Sequence, residues 1–229
     1  MKTKIIATYG PKISKLNVLR EVIISGANII RINSKYIKVE EYDSIIKKLE
    51  KIKKSKLMID IKDRKILNKI QLKNLKFDYL AISFAESYLE INKIRKMFPK
   101  KVKIISKIET KKGVNNLDKL IKVSDGIMIA RGDLGKSISF EKIPMVQKMI
   151  TKKCNQKNKM SITATELMPS MITYLRPSRA EVTDIANAIL EGSEALMLSE
   201  ETAIGKHPIL VIKTMKKIIK ETEKHKREF

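Results

Sequence analysis

Residues 104–135, IISKIETKKGVNNLDKLIKVSDGIMIARGDLG, contain the pattern that decides the fold. Two short apolar runs, at 104–106 and 126–129, flank a segment whose apolar residues, such as Leu117 and Leu120, have helical spacing. Runs of this length are typical of buried strands, whereas the spacing between them is typical of an amphipathic helix. The stretch therefore predicts a strand–helix–strand unit, and such a connection joins parallel strands.

The same alternation of short apolar runs and amphipathic segments extends along the whole chain. Eight runs, most of them rich in β-branched residues, have the length of strands, and helical patterns lie between most of them. The runs span residues 4–8, 28–33, 56–61, 79–84, 102–108, 126–130, 160–165 and 194–199. Alternating strands and helices imply a parallel sheet covered by helices, and eight such strands close into a barrel. We predict an α/β fold, a single-domain (β/α)8 TIM barrel over residues 1–229.

The length and composition of the chain favour a single globular domain over a membrane protein. The chain has 229 residues, of which 43% are hydrophobic, and a single barrel domain of about 200 to 250 residues is common. The apolar runs are far shorter than the ~20 residues that a membrane span needs, and the N-terminus does not resemble a signal peptide. We therefore expect a cytoplasmic protein that does not bind membranes. The lone Cys154 has no disulfide partner and is expected to pack within a helix.

The formal net charge of +24 suggests nucleic-acid binding as an alternative, because a basic surface attracts phosphate backbones. The lysines, however, are spread through nearly every helical segment. Trp is absent and aromatic residues make up 5% of the chain, so bases would find few side chains to stack on. A uniform excess of Lys, Ile and Asn is instead typical of an AT-rich genome, and we do not expect a nucleic-acid partner.

Polar residues follow the predicted strands with a regularity that favours a functional site. In a (β/α)8 barrel the carboxyl ends of the strands meet at one mouth, where active sites lie. The polar residues at these ends are Arg31, Asn33, Asp60, Ser83, Lys107, Glu109, Arg131, Asp133, Thr163, Thr165 and Ser199. Any one of them could be an ordinary surface residue, but the amino ends of the strands have no comparable set. Their common position favours a polar active-site mouth.

One lysine and two carboxylates at this mouth predict metal-assisted chemistry on an anion. Lys107 and Glu109 are two residues apart, so on a strand they point to the same face, and Asp133 follows the next strand. Two carboxylates suit Mg²⁺, which leaves coordination positions open for substrate oxygens. Lys107 would neutralise charge that develops on an oxygen. Gly132 would let the backbone approach an anion closely, and Thr165 would add a hydroxyl at the same rim.

Four motifs resemble successive motifs of pyruvate kinase. They are IISKIE at 104–109, SDGIMIARGDLG at 124–135, ITATELM at 162–168 and RPSRAEVTDIANAI at 176–189, and the opening TKIIATYGP at 3–11 resembles the first strand of that family. The resemblance covers nearly the whole chain. It implies the barrel domain of an enzyme in which phosphoenolpyruvate donates a phosphoryl group to ADP with Mg²⁺ and K⁺, giving pyruvate and ATP in glycolysis.

The resemblance also implies roles for individual residues. Lys107 matches the lysine that stabilises the transferring phosphoryl group and the enolate, while Glu109 and Asp133 match the Mg²⁺ ligands. Arg31 matches an arginine that contacts the substrate phosphate. The implied substrate-binding set is Arg31, Lys107, Gly132, Asp133 and Thr165, and the implied catalytic set is Lys107, Thr165 and Arg31. Such a set suffices for the phosphoenolpyruvate half of the reaction, because phosphoryl transfer depends mainly on positioning and charge neutralisation.

The potassium site departs from the family pattern. Asn33 and Asp60 match two K⁺ ligands, but Lys35 stands where the family has a serine and Ile61 where it has a threonine. Two of the K⁺ ligands of the family are therefore missing from this chain. We hypothesise that the ammonium group of Lys35 takes the place of K⁺, which predicts activity independent of that ion.

The segment after Asp60 departs from the family as well. There the family continues into a separate lid domain, whereas KDRKIL at 62–67 leads almost directly to the fourth predicted strand. We expect the lid to be deleted between about 62 and 78, and the C-terminal regulatory domain to be absent. Loss of a lid should weaken water exclusion and nucleotide binding. Glu166 and Glu200 stand where glutamine and glycine are usual.

Three functions follow from this sequence, in decreasing order of preference. The first is a reduced pyruvate kinase that transfers a phosphoryl group from phosphoenolpyruvate to ADP. The second is an Mg²⁺-dependent lyase or enolising enzyme that acts on pyruvate, oxaloacetate or a related compound. The third is a non-catalytic remnant that binds a ligand or partner. The family resemblance also suggests a homo-oligomer.

Overall fold

The computed structural model describes residues 2–52, 54–72, 75–226 and 228, without the side chains of Gln71 and Leu72. Its eight strands are parallel and form a closed barrel in sequence order, with the last strand pairing with the first. They are β1 Lys4–Thr8, β2 Ala27–Asn33, β3 Lys56–Ile61, β4 Tyr79–Ile82, β5 Lys103–Ile108, β6 Gly126–Ala130, β7 Met160–Ala164 and β8 Ala195–Leu198. The predicted (β/α)8 barrel is confirmed; the ends of the predicted domain, Met1 and Phe229, lie outside the described residues.

Helices surround the barrel in the order that the sequence pattern predicts. In the described part of the chain they are α1 Leu16–Ser25, α2 Tyr42–Ile52, α3 Ile66–Leu72, α4 Tyr88–Met97, α5 Lys111–Asn115, α6 Leu117–Val123, α7 Arg131–Leu134, α8 Ile143–Gln156, α9 Arg179–Leu190, α10 Glu200–Ala203 and α11 Pro208–His225. Short 3-10 turns lie at Pro11–Ile13, Val39–Glu41, Phe140–Lys142 and Pro169–Ile172. Among the described residues, we find no helix with both the length and the apolar character that crossing a membrane requires.

Several predicted strand limits were wrong by one or two residues. The runs at 79–84 and 160–165 end as strands at Ile82 and Ala164. The backbone leaves the extended region just beyond these points, because Phe84 has φ of 48° and Thr165 has φ of 68°. The strands predicted at 28–33, 102–108 and 194–199 likewise run from 27 to 33, 103 to 108 and 195 to 198. The observed ends of β4 and β7 lie at the mouth of the barrel, where the chain turns and side chains point into the cleft.

Two apolar clusters of described residues hold the barrel together. Residues such as Ile104 and Ile108 face outward into the large cluster between the sheet and the helices. A second cluster fills the lower barrel with inward side chains, among them Ile105, Met58 and Ile29. Cys154 is buried in α8, as predicted, and burial raises the pKa of its thiol to about 12.

Alternate residues of a strand point into the barrel, and on β3 and β5 this inward row changes from apolar to charged residues. On β5 the row passes from Ile105 to Lys107, and on β3 it passes from Met58 to Asp60. Side chains at i and i+2 share a face of a strand, so an apolar layer below places the charged layer directly above it. The fold thereby positions the charges at the carboxyl ends of the strands.

Candidate active site

Four buried charged side chains form the floor of a cleft at the mouth of the barrel. This charged floor consists of Arg31, Asp60, Lys107 and Glu109, each less than a tenth exposed. Arg31 contacts Asp60 Oδ2 through Nε and Nη2, both at 2.8 Å. Lys107 Nζ lies 3.1 Å from Asp60 Oδ1 and 3.1 Å from Glu109 Oε1. Cations and anions therefore alternate across β2, β3 and β5, which compensates the cost of burying each charge.

Asp60 is the centre of the charged floor. Burial by itself would raise its pKa, but the positive charges of Lys107 and Arg31, together with their hydrogen bonds, outweigh that effect and lower the pKa below its ordinary value. The carboxylate thus stays ionised. Both oxygens are already engaged, and the Ser83 hydroxyl lies 3.4 Å from Oδ1 as a third donor.

Glu109 is held differently from Asp60. Burial is the largest influence on its pKa and raises it, while Lys107 and the backbone N–H of Phe84 act in the opposite direction. One oxygen faces Lys107 and the other accepts the hydrogen bond from Phe84. Because burial outweighs these partners, an additional positive charge beside Glu109 would stabilise its ionised form.

The predicted potassium ligands lie side by side but have separate partners. Strand register pairs Asn33 with Asp60. The side-chain oxygen Oδ1 of Asn33 accepts a hydrogen bond from the backbone N–H of Lys35 at 3.0 Å, while Asp60 is bound by Arg31 and Lys107. The ammonium group of Lys35 lies 5.0 Å from the centre of the Tyr36 ring, on the exposed edge of the mouth. The cations beside Asp60 in this structure are therefore Arg31 and Lys107.

The opposite wall of the cleft comes from α7 and the end of β7. Asp133 is half exposed, and Lys136 Nζ lies 3.0 Å from its Oδ1. Burial acts to raise the Asp133 pKa, but Lys136, with smaller contributions from Lys107 and Lys62, lowers it overall. Asp133 therefore faces the same space as Lys107, as the sequence predicts, although it lies on a helix rather than on a strand.

Gly132 has a different partner from the one that the sequence suggests. Its backbone N–H, expected to face an anion, donates to Thr165 Oγ1 at 2.9 Å. The Thr165 hydroxyl in turn donates to the carbonyl oxygen of Ala164 at 2.6 Å. Gly132 therefore fixes the position of the Thr165 side chain at the cleft in this structure.

Arg131 holds the strained turn after β7, a role that no local sequence signal indicates. Thr165 and Glu166 have φ of 68° and 55°, in the left-handed region that costs about 1–2 kcal/mol for each residue other than glycine. Nη2 of the buried Arg131 donates to the carbonyl oxygens of Thr165 and Glu166 at 2.7 and 3.1 Å. Nη1 binds both oxygens of Asp184 on α9, at 2.8 and 2.7 Å. These bonds oppose the strain and anchor Thr165.

These side chains surround a cleft of about 410 Å³. Four of the five predicted substrate-binding residues line it, namely Arg31, Lys107, Asp133 and Thr165. The predicted metal ligands Glu109 and Asn33 also line it, whereas Gly132 and Asp60 lie behind the lining. Most of the predicted site residues therefore line one cleft, and the binding of substrate or metal by them stays a prediction.

The carboxylates that line this cleft suit an open magnesium site better than a metal site whose ligands all come from the protein. Among the described residues, no group of three or more His, Cys, Asp or Glu side chains is arranged to hold a metal. Glu109 and Asp133 supply two carboxylates to one open cleft. Mg²⁺ commonly takes one or two protein carboxylates and completes its shell with water and substrate oxygens. A structural zinc site, with four protein ligands, does not match this donor set.

Comparison with known proteins agrees with these features. The family model described as the barrel domain of pyruvate kinase matches residues 57–212. The chain belongs to the pyruvate kinase family. The matched part of the pyruvate kinase fold includes Lys107, Glu109, Asp133 and Thr165, while β1 and β2, with Arg31, precede it.

Individual pyruvate kinases align with much of the chain. The enzyme of Methanocaldococcus jannaschii is 42% identical over 234 residues, covering 94% of this chain and 52% of the relative. Pyruvate kinases of Thermotoga maritima and Dictyostelium discoideum are 50% and 49% identical, covering 66% and 64% of this chain and 33% and 29% of their own lengths. The chain thus spans about half, or less, of the length of these pyruvate kinases.

Proposed function

We propose that this chain transfers a phosphoryl group from phosphoenolpyruvate to ADP, giving pyruvate and ATP. In this reaction the bond between phosphorus and the enol oxygen breaks and a bond to the terminal ADP phosphate forms. The enolate left behind takes a proton to become pyruvate. The observation that carries the proposal is the buried Lys107 ammonium group at the base of the cleft, held between two carboxylates.

Lys107 is suited to stabilise negative charge because its position is fixed before substrate arrives. Its ammonium group has three acceptors in this structure: Asp60 Oδ1 at 3.1 Å, Glu109 Oε1 at 3.1 Å and Ser83 Oγ at 2.9 Å. A phosphoryl or enolate oxygen in the cleft would take the place of one of these acceptors. A cation that is already oriented needs little reorganisation as charge develops, which lowers the barrier.

Arg31 and Thr165 would orient the substrate from opposite sides. The Arg31 guanidinium is held by Asp60 and by Thr8 Oγ1, the latter at 2.9 Å from Nη1, while the residue lines the cleft. An arginine fixed in this way presents a planar set of donors to phosphate oxygens. Thr165 places its hydroxyl at the other wall, where Gly132 and Arg131 hold it.

Glu109 and Asp133 would hold Mg²⁺ in this proposal. The ion, when bound, supplies positive charge to the substrate oxygens. Potassium would not be required, since Arg31 and Lys107 already engage both oxygens of Asp60. The substitution of K⁺ by the Lys35 ammonium group stays a prediction, as does K⁺ binding by Asn33 and Asp60.

The connection between β3 and β4 supports the proposal that the lid is missing. Residues 62–78 contain the short helix α3, and in the described part of this segment only Lys62 lines the cleft; Lys73 and Asn74 lie outside the described residues. A cleft without a lid admits water, so we expect slow turnover. We also propose a cytoplasmic, homo-oligomeric protein.

The test is formation of pyruvate from phosphoenolpyruvate by the purified chain with ADP and Mg²⁺, followed through lactate dehydrogenase. We expect pyruvate and ATP to appear in equal amounts, and neither to appear when ADP is omitted. Absence of both products at high enzyme concentration would contradict the proposal.

A second candidate, enolisation of pyruvate, is favoured by one observation. Lys107, Glu109, Asp133 and Thr165, which would serve the enolate, all line one cleft, whereas the segment that replaces the lid contributes Lys62 alone among its described residues. Exchange of the pyruvate methyl protons in deuterated water, measured by NMR, would detect this activity. Exchange without phosphoryl transfer would favour the second candidate, and the absence of both activities would favour a non-catalytic ligand-binding protein.

A further inference from the structure

Three exposed lysines stand around the mouth of the cleft, and the proposed phosphoenolpyruvate site does not use them. This lysine rim consists of Lys35 after β2, Lys62 after β3 and Lys136 after α7. All three residues line the cleft and all are exposed. They lie above the charged floor, on elements that the fold brings together from three separate parts of the sequence.

The lysine rim converges on Asp133. Lys136 Nζ lies 3.0 Å from Asp133 Oδ1. Lys35 and Lys62 line the same cleft as Asp133, but at more than ion-pair distance from its carboxylate. The three ammonium groups therefore act on one region of space at the edge of the cleft.

The three lysines of the rim form few direct ion pairs with carboxylates of the protein. Among the described residues, Asp133 is the sole carboxylate within ion-pair distance of any of the three lysines. The Lys35 and Lys62 ammonium groups instead lie 5.0 and 5.5 Å from the ring centres of Tyr36 and Phe84. Glu200 also lines the cleft, beyond ion-pair distance of the three lysines. Flexible ammonium groups with few carboxylate partners are well suited to bind phosphate oxygens.

We propose that Lys35, Lys62 and Lys136 bind the diphosphate group of the acceptor, so that the barrel itself provides the acceptor site. A diphosphate carries several neighbouring negative oxygens and can contact lysines that stand on different sides of the mouth. The identity of this ligand as a nucleoside diphosphate rests on the proposed function. The shared chemistry is the diphosphate group, which inorganic pyrophosphate also carries.

The experiment is calorimetric titration of the full chain with ADP, inorganic pyrophosphate, AMP and adenosine, without phosphoenolpyruvate or added metal ion. We expect ADP to bind more tightly than AMP or adenosine. In the triple variant Lys35→Gln, Lys62→Gln, Lys136→Gln, ADP should bind about tenfold or more weakly, because three exposed ion pairs contribute additively. If pyrophosphate also binds, and its binding weakens in the triple variant as that of ADP does, the diphosphate alone is the ligand. If ADP binds and pyrophosphate does not, the ligand is a nucleoside diphosphate.

A matched control removes the same charge from the outer helices. Lys51, Lys122 and Lys220 are exposed, lie on α2, α6 and α11, and do not line the cleft. The triple variant Lys51→Gln, Lys122→Gln, Lys220→Gln should bind ADP as the unmodified chain does, because screening in salt weakens charges at that distance. Equal weakening in both triple variants, or none in the rim variant, would overturn the proposal.

The titration separates this inference from the proposed function. Failure to form pyruvate while ADP binds through the lysine rim would contradict the function and leave the diphosphate site intact. Failure of the chain to bind either ADP or pyrophosphate would overturn the inference whether or not phosphoenolpyruvate is consumed. Because all three substitutions are at exposed positions, circular dichroism should show an unchanged fold in the rim variant.

Discussion

The charged floor and the lysine rim use charge in opposite ways. In the floor, Arg31, Asp60, Lys107 and Glu109 are buried and linked to one another at 2.8 to 3.1 Å. In the rim, three lysines are exposed, and among the described residues only Lys136 has a carboxylate, that of Asp133, within ion-pair distance. Buried charges cannot exchange a protein partner for bulk water, whereas exposed ones can.

This difference predicts how each region responds to substitution. Removal of one floor residue leaves another buried charge without its partner, so stability and geometry should change together. Removal of a rim residue should change local charge and little else, because water replaces the lost contact. Substitutions that alter stability at the rim, or that leave the floor unaffected, would break this comparison.

The largest expected effect is that of Lys107→Met on phosphoryl transfer. Loss of a preorganised charge that stabilises the transition state typically lowers kcat about 10²- to 10³-fold, and we expect at least that reduction in the pyruvate assay. The matched control is Lys103→Met, at the exposed amino end of the same strand. Equal activities in the two variants would show that Lys107 is not the catalytic cation.

The next largest effect should be on stability, in Asp60→Asn. The amide keeps the shape of the side chain but removes the negative charge between Arg31 and Lys107. We expect the free energy of unfolding to fall by about 3 kcal/mol, as when one partner of a buried ion pair is lost. Urea denaturation monitored by circular dichroism measures the change. The exposed Asp63→Asn serves as the control and should differ little from the unmodified chain.

Low pH should reduce the difference in the free energy of unfolding between the unmodified chain and Asp60→Asn. The pKa of Asp60 lies below its ordinary 3.8 in the folded state, so its stabilisation is complete above that ordinary value. The stabilisation is lost as the pH falls from there through the folded-state pKa. Urea denaturation from pH 7 down to pH 3 should therefore show the two proteins converging below about pH 4. A constant difference across this range would contradict the assignment of Asp60 as the ionised centre.

Arg131→Lys should have a smaller effect, confined to the wall that carries Thr165. A lysine keeps the positive charge but cannot bind two carbonyl oxygens and Asp184 together. We expect kcat/KM for phosphoenolpyruvate to fall about tenfold, because a displaced Thr165 misplaces the substrate. Asp184→Asn should produce the same kinetic change, while Arg20→Lys on the exposed face of α1 should not. Unchanged kinetics in both Arg131→Lys and Asp184→Asn would argue against a positioning role.

The smallest expected effect is that of potassium. Since Arg31 and Lys107 engage both oxygens of Asp60, exchange of K⁺ for tetramethylammonium at equal ionic strength should leave the rate of phosphoryl transfer unchanged. Strong stimulation by K⁺ would contradict the hypothesis that a protein cation replaces the ion. Comparison with Lys35→Ser would then show whether Lys35 has any part in this behaviour.

Much of the fold could be predicted from local sequence, because its signals act over a few residues. A strand has a period of two, so Ile105, Lys107 and Glu109 had to share one face. The alternation of strand and helix required parallel strands, and their number was compatible with closure into a barrel. The same local patterns carried the family resemblance, which the comparison with known proteins confirms.

The supporting contacts could not be predicted in the same way. No local signal indicates that Arg31 and Lys107 share Asp60, that Gly132 donates to Thr165, or that Arg131 binds the turn after β7. These partners are 29 to 47 residues apart in sequence, from the pair Arg31 with Asp60 to the pair Lys107 with Asp60. Their meeting depends on strand register and on closure of the barrel, which are set by packing over the whole domain.

The sequence by itself therefore determined which strands end in polar residues near the mouth of the barrel, and the tertiary structure decided which of these residues line the cleft and what each can do there. Side-chain direction follows from backbone period, which is local. Burial, partner and pKa depend on the distances between elements that only the closed barrel brings together. For this reason Lys107 and Lys35, both lysines at the mouth, become a buried cation between carboxylates and an exposed cation open to a ligand.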